Sequence, residues 1–75
     1  MKLVKFCDVK VNSSYLASIN GERAGEIIVL SKSETTAKCV LMGYGRPVGF
    51  IVNVLDPEDE VFEDEVTKFK ISFSK

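Results

Sequence analysis

The sequence predicts a mainly β fold of the α+β class, either a small antiparallel sheet or an OB-like barrel. Two observations favour this fold. Residues typical of strands dominate the chain, and the dipeptide Asn20-Gly21 separates two such stretches. With 75 residues the chain has room for a single domain, residues 1–75, with one small core. The predicted element order is β-β-β-α-β-β.

The first predicted strand covers residues 2–11, and its apolar residues change face midway. Phe6 lies on one face, whereas Val9 and Val11 lie on the other. Because side chains alternate strictly along a regular strand, this change of phase indicates a bulge or a sharp bend near Cys7.

The second and third strands are predicted to form a hairpin. Residues 15–19 lead into Asn20-Gly21, a two-residue turn in which both central positions take a positive φ. Residues 24–30 then return as the partner strand. Gly25 is a candidate for a β-bulge, because glycine inside a strand often marks one.

A short helix is predicted over residues 32–42. Ser31 and Glu34 have the spacing of a capping box, and from Ala37 onward apolar residues recur at i, i+3, i+4 and i+7. Gly43 follows at the place where glycine commonly ends a helix. Two adjacent threonines favour the alternative, which is one arm of a hairpin.

The remaining elements are two strands separated by an acidic turn or short helix. Residues 48–55 carry apolar side chains on both faces, which is typical of a covered central strand or of a subunit contact. Residues 56–59 have the composition of a helix N-terminus. The last strand is predicted over residues 67–73, with Phe69, Ile71 and Phe73 on one face.

The charge distribution is uneven although the net charge is only −1. Residues 56–65, called here the acidic segment, hold seven acidic residues and no basic one. The other 65 residues hold four acidic and ten basic residues, a net charge of +6. Two interpretations stay open. The acidic segment either maintains solubility, or it binds a basic surface on a partner.

The leading functional prediction is a small protein–protein interaction module, an adaptor or an inhibitor. Its acidic segment would imitate a nucleic-acid backbone in the basic groove of another protein. Small accessory proteins of phages offer an analogy of size and charge alone. The predicted partner-binding residues are Asp56, Glu58, Asp59, Glu60, Phe62, Glu63, Asp64 and Glu65.

The alternative prediction is an OB-like module that binds single-stranded nucleic acid with the basic body. Its candidate contacts are Lys2, Lys5, Lys10, Arg23, Lys38, Tyr44 and Arg46, with Lys32 and Tyr15 as further candidates. A homodimer is also considered, because opposite charges on one chain can pair across copies.

Several function classes are not expected. Without histidine, the usual pairs of a nucleophile and a general base are absent, so we expect no enzyme. The acidic segment does not match an EF-hand loop, so we expect no metal site or cofactor. Cys7 and Cys39 match no zinc or redox spacing and are predicted to be free, buried thiols. No signal peptide or membrane-spanning stretch is evident in the sequence, so the predicted location is the cytoplasm, which for a viral protein is the cytoplasm of the host. We expect no membrane partner.

Overall fold

A computed structural model of the chain describes residues 2–43 and 45–75. Within them, six strands form a closed barrel in which each strand pairs antiparallel with the next and the last pairs with the first. The predicted mainly β class is confirmed, and the barrel is the form observed. The strands are β1 (Ser14–Ile19), β2 (Glu22–Lys32), β3 (Thr36–Leu41), β4 (Val48–Asn53), β5 (Val61–Asp64) and β6 (Lys70–Ser74).

The barrel has two ends, which we name after a residue at each. The Phe6 end carries the β2–β3 and β4–β5 connections, together with the N-terminal segment that precedes β1. The Gly21 end carries the β1–β2, β3–β4 and β5–β6 connections. Adjacent antiparallel strands run in opposite directions, so successive connections alternate between the two ends.

The hairpin predicted at Asn20-Gly21 is confirmed. Ile19 and Glu22 pair directly across the turn, and φ is 52° at Asn20 and 86° at Gly21. Positive φ at both central residues is the geometry whose twist matches that of the flanking strands.

The bulge predicted at Gly25 is also confirmed. Ala17 pairs with Gly25 and the next residue of β1 pairs with Arg23, so Ala24 is the extra residue of β2. Gly25 has a φ of 138°, and Gly43 packs directly against this bulge. A Cβ on Gly43 would lie 2.6 Å from the Ala24 carbonyl oxygen, so this contact requires glycine.

The predicted helix over residues 32–42 is wrong, because this segment forms the end of β2, a turn and β3. The Ser33 Oγ accepts a hydrogen bond from the Thr36 N–H at 3.1 Å, which closes the turn and caps no helix. Along β3 the side chains of Ala37, Cys39 and Leu41 alternate into the core. The alternative of a hairpin arm is the correct one.

The bend predicted near Cys7 is a single 3-10 turn, Phe6–Asp8. The strand predicted over residues 2–11 is reduced to an isolated bridge between Leu3 and Ser74. The turn lets the Phe6 ring enter the barrel, where 1% of its surface stays exposed, and it also buries Val9.

The C-terminal half contains one strand that was not predicted. Residues 56–59 form a turn and no helix, and β5 follows at once. The final strand begins at Lys70, so Phe69 precedes it and is 48% exposed, instead of sharing the inner face of Ile71 and Phe73. Of the two alternatives for the apolar residues on both faces of residues 48–55, the covered central strand is not observed, because the Ile51 side chain is exposed.

The core is organised around a chain of aromatic contacts. Phe62 contacts Phe6 edge-on at 5.4 Å between ring centroids and Phe73 at 5.2 Å, and Phe73 stacks on Tyr15 at 6.0 Å. The Lys32 Nζ donates hydrogen bonds to the carbonyls of Phe6 and Val9 and lies 4.7 Å from the Phe6 ring centroid. Lys32 therefore fastens the N-terminal segment to β2.

We expect Lys32→Met to reduce the free energy of unfolding by about 2 kcal/mol, because two carbonyls lose a charged donor. The matched control is Lys38→Met, at an exposed position on the outer face of β3, where we expect a change within about 0.5 kcal/mol. Urea unfolding of both variants measures the difference. Equal midpoints would show that the Lys32 contacts add nothing to stability.

Candidate functional site: a groove beside the acidic loop

The connection between β4 and β5, residues 54–60, is called here the acidic loop. The N-terminal segment holds it in place at three points. The Phe6 N–H donates to the Asp59 carbonyl at 2.9 Å, and the Cys7 N–H donates to the Pro57 carbonyl at 2.8 Å. The Lys5 Nζ forms an ion pair with Glu58 at 3.0 Å. Hydrogen bonding to Glu58 and its charge raise the pKa of Lys5.

The acidic loop also contains a local turn that fixes its shape. The Asp56 Oδ1 accepts a hydrogen bond from the Glu58 N–H at 3.0 Å, and the Asp56 carbonyl accepts one from the Asp59 N–H at 2.9 Å. An aspartate that bonds to the backbone two residues later is a common way of building a tight turn. The loop is thus fixed both internally and against the barrel.

A groove opens where β4 and β5 diverge. These two strands pair only at Val52–Asp64 and Asn53–Glu63, whereas β3 and β4 pair at six positions. Beyond Asn53 the chain stays with β3, since the Val54 N–H donates to the Thr35 carbonyl at 2.8 Å. The resulting groove has a volume of about 900 Å³.

The groove combines apolar side chains with charges of both signs. Leu55 is 99% exposed and Val61 is 47% exposed, and both line it. Such full exposure of a leucine places its entire apolar surface in water. The charged residues that line the groove are Asp59, Glu60, Glu63, Lys68 and Lys70.

The charges that line the groove lie in a definite order along β5. Asp59 and Glu60 precede the strand at the Phe6 end, and Lys68 follows it in the turn at the Gly21 end. Glu63 lies opposite Lys70 in the β5–β6 ladder. Within residues 2–43 and 45–75, none of these five side chains forms an ion pair, so all five charges face solvent.

The predicted partner-binding residues have different environments in the structure. Phe62 is the one that the structure contradicts, because its ring is 1% exposed at the centre of the core and no partner can reach it. Asp64 forms the β5–β6 turn, accepting hydrogen bonds from the Val66 N–H at 3.0 Å and the Thr67 hydroxyl at 2.7 Å. The others, Asp56, Glu58, Asp59, Glu60, Glu63 and Glu65, are exposed.

Leu55 was missed by the sequence analysis, which placed it at the end of a continuous strand. The two residues after Leu55 do indicate that the strand ends there. Asp56-Pro57 must end the strand, because the residue before a proline is restricted and proline cannot donate a ladder hydrogen bond. A leucine directly before such a break has no strand partner to cover it.

The basic residues of the alternative prediction do not form one surface. Lys5 and Lys10 lie on the N-terminal segment at the Phe6 end, Arg23 and Arg46 lie at the Gly21 end, and Lys38 lies on the outer face of β3. Tyr44 lies outside the described residues.

The two further candidates for nucleic-acid contact have structural roles instead. Tyr15 is 4% exposed, stacks on Phe73, and accepts a hydrogen bond from the Lys10 N–H at 2.8 Å. Lys32 holds the N-terminal segment as described above. Neither is available to stack on a base or to contact a phosphate.

The two cysteines are free, as predicted, but only Cys39 is buried. Burial raises the pKa of the Cys39 thiol to about 12. The prediction that Cys7 is buried is wrong. Its Sγ donates to Glu58 Oε1 at 3.7 Å, and partial desolvation together with the charges of Asp8 and Glu58 raises its pKa.

In the part of the chain that the structure describes, no group of three or more His, Cys, Asp or Glu side chains is arranged to hold a metal ion. Likewise, no helix among the described residues has the length and apolar character needed to cross a membrane.

Comparison of the chain with protein-family models, with curated proteins and with solved structures finds no match. The groove is therefore the feature from which a function is inferred.

We expect Phe62→Ala to reduce the free energy of unfolding by about 3–5 kcal/mol, because it leaves a cavity between the rings of Phe6 and Phe73. The matched control is Phe69→Ala. Phe69 is 48% exposed, so its loss is expected to cost about 1 kcal/mol or less. Thermal unfolding distinguishes the two. A Phe62→Ala protein as stable as Phe69→Ala would contradict the observed position of the ring.

We expect the two thiols to react at very different rates with a chromogenic disulfide reagent at pH 8. Cys7 reacts in the folded protein. Cys39 reacts only when the barrel opens locally, and therefore at least about a hundredfold more slowly. A Cys7→Ser variant is the control and should show the slow reaction alone. Two equally fast thiols would contradict the burial of Cys39.

Proposed function

We propose that this chain is a small non-enzymatic protein-interaction module, an adaptor or an inhibitor. It would bind a basic segment of another protein in the groove beside the acidic loop. The observation that carries the proposal is a fully exposed leucine, Leu55, at a groove that is also lined by the carboxylates of Asp59 and Glu60.

This arrangement has the anatomy of a protein–protein interface. Such interfaces place an apolar anchor at the centre and polar groups around it, and the anchor supplies most of the binding energy. Leu55 and Val61 would supply the apolar centre, whereas Phe62, which was predicted to bind the partner, is buried in the core. Burying an exposed leucine side chain is worth roughly 1.5–3 kcal/mol.

The fixed conformation of the acidic loop also favours binding. Three contacts with the N-terminal segment hold the loop before any partner arrives. Binding of a partner then costs little entropy in the loop, because the loop is already immobilised when the protein folds.

The charges favour a basic partner at the Phe6 end of the groove. Asp59 and Glu60 have no ion-pair partner among the described residues, so a lysine or arginine beside an apolar side chain would complement them. Glu58 is paired with Lys5 and Asp64 forms a turn. The proposal therefore rests on the groove and not on a continuous row of seven carboxylates.

A random-peptide display library with the wild-type protein as bait tests this proposal. We expect the selected peptides to combine lysine or arginine with an apolar residue. Leu55→Asp and the double variant Asp59→Lys/Glu60→Lys are each expected to weaken binding of these peptides at least about tenfold. Binding should also weaken with added salt, because exposed charges are screened.

The matched control is the double variant Glu22→Lys/Glu26→Lys. It has the same net charge as Asp59→Lys/Glu60→Lys, but its substitutions lie in β2 outside the groove. It should bind the selected peptides as the wild type does. Peptides that bind all four proteins equally would overturn the proposal. Tighter binding of a single-stranded DNA oligonucleotide than of any peptide, lost in Lys38→Glu, would favour the nucleic-acid alternative.

A further inference from the structure

We infer that the groove is self-complementary and that a second copy of this chain occupies it in solution, forming a two-fold symmetric homodimer. This inference goes beyond the proposed function, since it requires no outside partner. It rests on the order of the charges along β5, on the exposure of Leu55 and on the geometry of a two-fold axis.

The groove carries opposite charges at its two ends. Asp59 and Glu60 form an acidic end before β5. The other end is basic, because Lys68 and Lys70 lie there together with Glu63, which is opposite Lys70 in the ladder, and these three charges sum to +1. β5 has four residues, and a strand rises about 3.3 Å per residue, so the two ends are separated by about 13 Å. All five side chains are exposed and form no ion pair within the described residues.

A two-fold axis that passes through the middle of the groove, perpendicular to β5, pairs both ends of the groove at once. It places a second copy in the reverse direction, so the acidic end of each copy faces the basic end of the other. In such an interface every contact occurs twice, which doubles the contribution of each charged pair. A parallel arrangement would instead bring like charges together, which is unfavourable.

The apolar residues of the groove lie where such an interface needs them. Leu55 is 99% exposed beside a groove of about 900 Å³, so a leucine from each copy can enter the groove of the other. Val61 on β5, which is 47% exposed, extends the apolar surface of the groove. A standard interface buries about 800 Å² per partner, roughly one-sixth of the 4824 Å² surface of this chain.

If the proposed function is also correct, the second copy and a basic partner segment compete for the same groove. The homodimer would then be the form without a partner. The homodimer itself does not depend on that competition, and the two are tested separately.

Sedimentation velocity across a range of protein concentrations tests the homodimer. We expect the wild-type protein to change from a monomer of 8.3 kDa to a dimer as concentration rises. Leu55→Asp is expected to raise the dimer dissociation constant at least about tenfold, since it replaces the apolar anchor with a charge.

A charge exchange makes the test specific. Lys68→Glu/Lys70→Glu has two acidic ends and Asp59→Lys/Glu60→Lys has two basic ends, so each variant alone should dimerise at least about tenfold more weakly. An equimolar mixture should form a heterodimer, because the two-fold arrangement then pairs both ends correctly. The control mixture combines Lys68→Glu/Lys70→Glu with Glu22→Lys/Glu26→Lys, which has the same net charges. It should form less heterodimer, because one end remains acidic on both copies.

Three outcomes would overturn the inference. They are a wild-type protein that stays monomeric at millimolar concentration, charge variants that dimerise as the wild type does, and a test mixture that associates no better than the control mixture. Each leaves the proposed function standing if the selected peptides still bind in the groove. Circular dichroism confirms that each variant is folded, as expected for exposed substitutions.

Discussion

The Phe6 side chain fills the end of the barrel at which the acidic loop lies, and the same residue holds that loop. Its ring packs edge-on against Phe62, its N–H donates to the Asp59 carbonyl, and its own carbonyl accepts a hydrogen bond from Lys32. One residue thus joins the core, the loop and β2. A chain of 75 residues buries a smaller fraction of its surface than a larger domain does, so an end closed by a phenylalanine adds apolar burial that six short strands alone would lack.

This arrangement explains how a segment with seven acidic residues stays ordered against the protein. Phe62 is the internal anchor of the acidic segment, and the 3-10 turn at Phe6–Asp8 binds the backbone of the loop from outside. Because backbone groups make most of these contacts, the carboxylates of Asp59 and Glu60 are left to solvent. The acidic run in the sequence is therefore presented on a fixed surface.

The parts of the fold that could be predicted from sequence are those set by local backbone chemistry. The turn at Asn20-Gly21 and the bulge at Gly25 both follow from the need for positive φ. The helix prediction was wrong because Ala37 and Leu41, four residues apart, share one face in a helix and also in a strand. The deciding residue was Cys39, which a strand buries and which the predicted helical stripe omitted. β5 was missed because Phe62 lies within the acidic segment, so the sequence does not show that its side chain points into the core.

The candidate site could be predicted only in part, because the groove arises from how the barrel closes. The acidic residues were visible in the sequence, but the role of Leu55 depends on two tertiary pairings. The Val54 N–H donates a hydrogen bond to Thr35 in the β2–β3 turn, whereas Val61 pairs with Ser72 on β6. Since β4 and β5 are each held by their other neighbour, they pair at two positions and then separate. Where the short ladder between β4 and β5 ends, the wall of the barrel opens into the groove. Leu55 lies uncovered in this opening, together with charges of both signs.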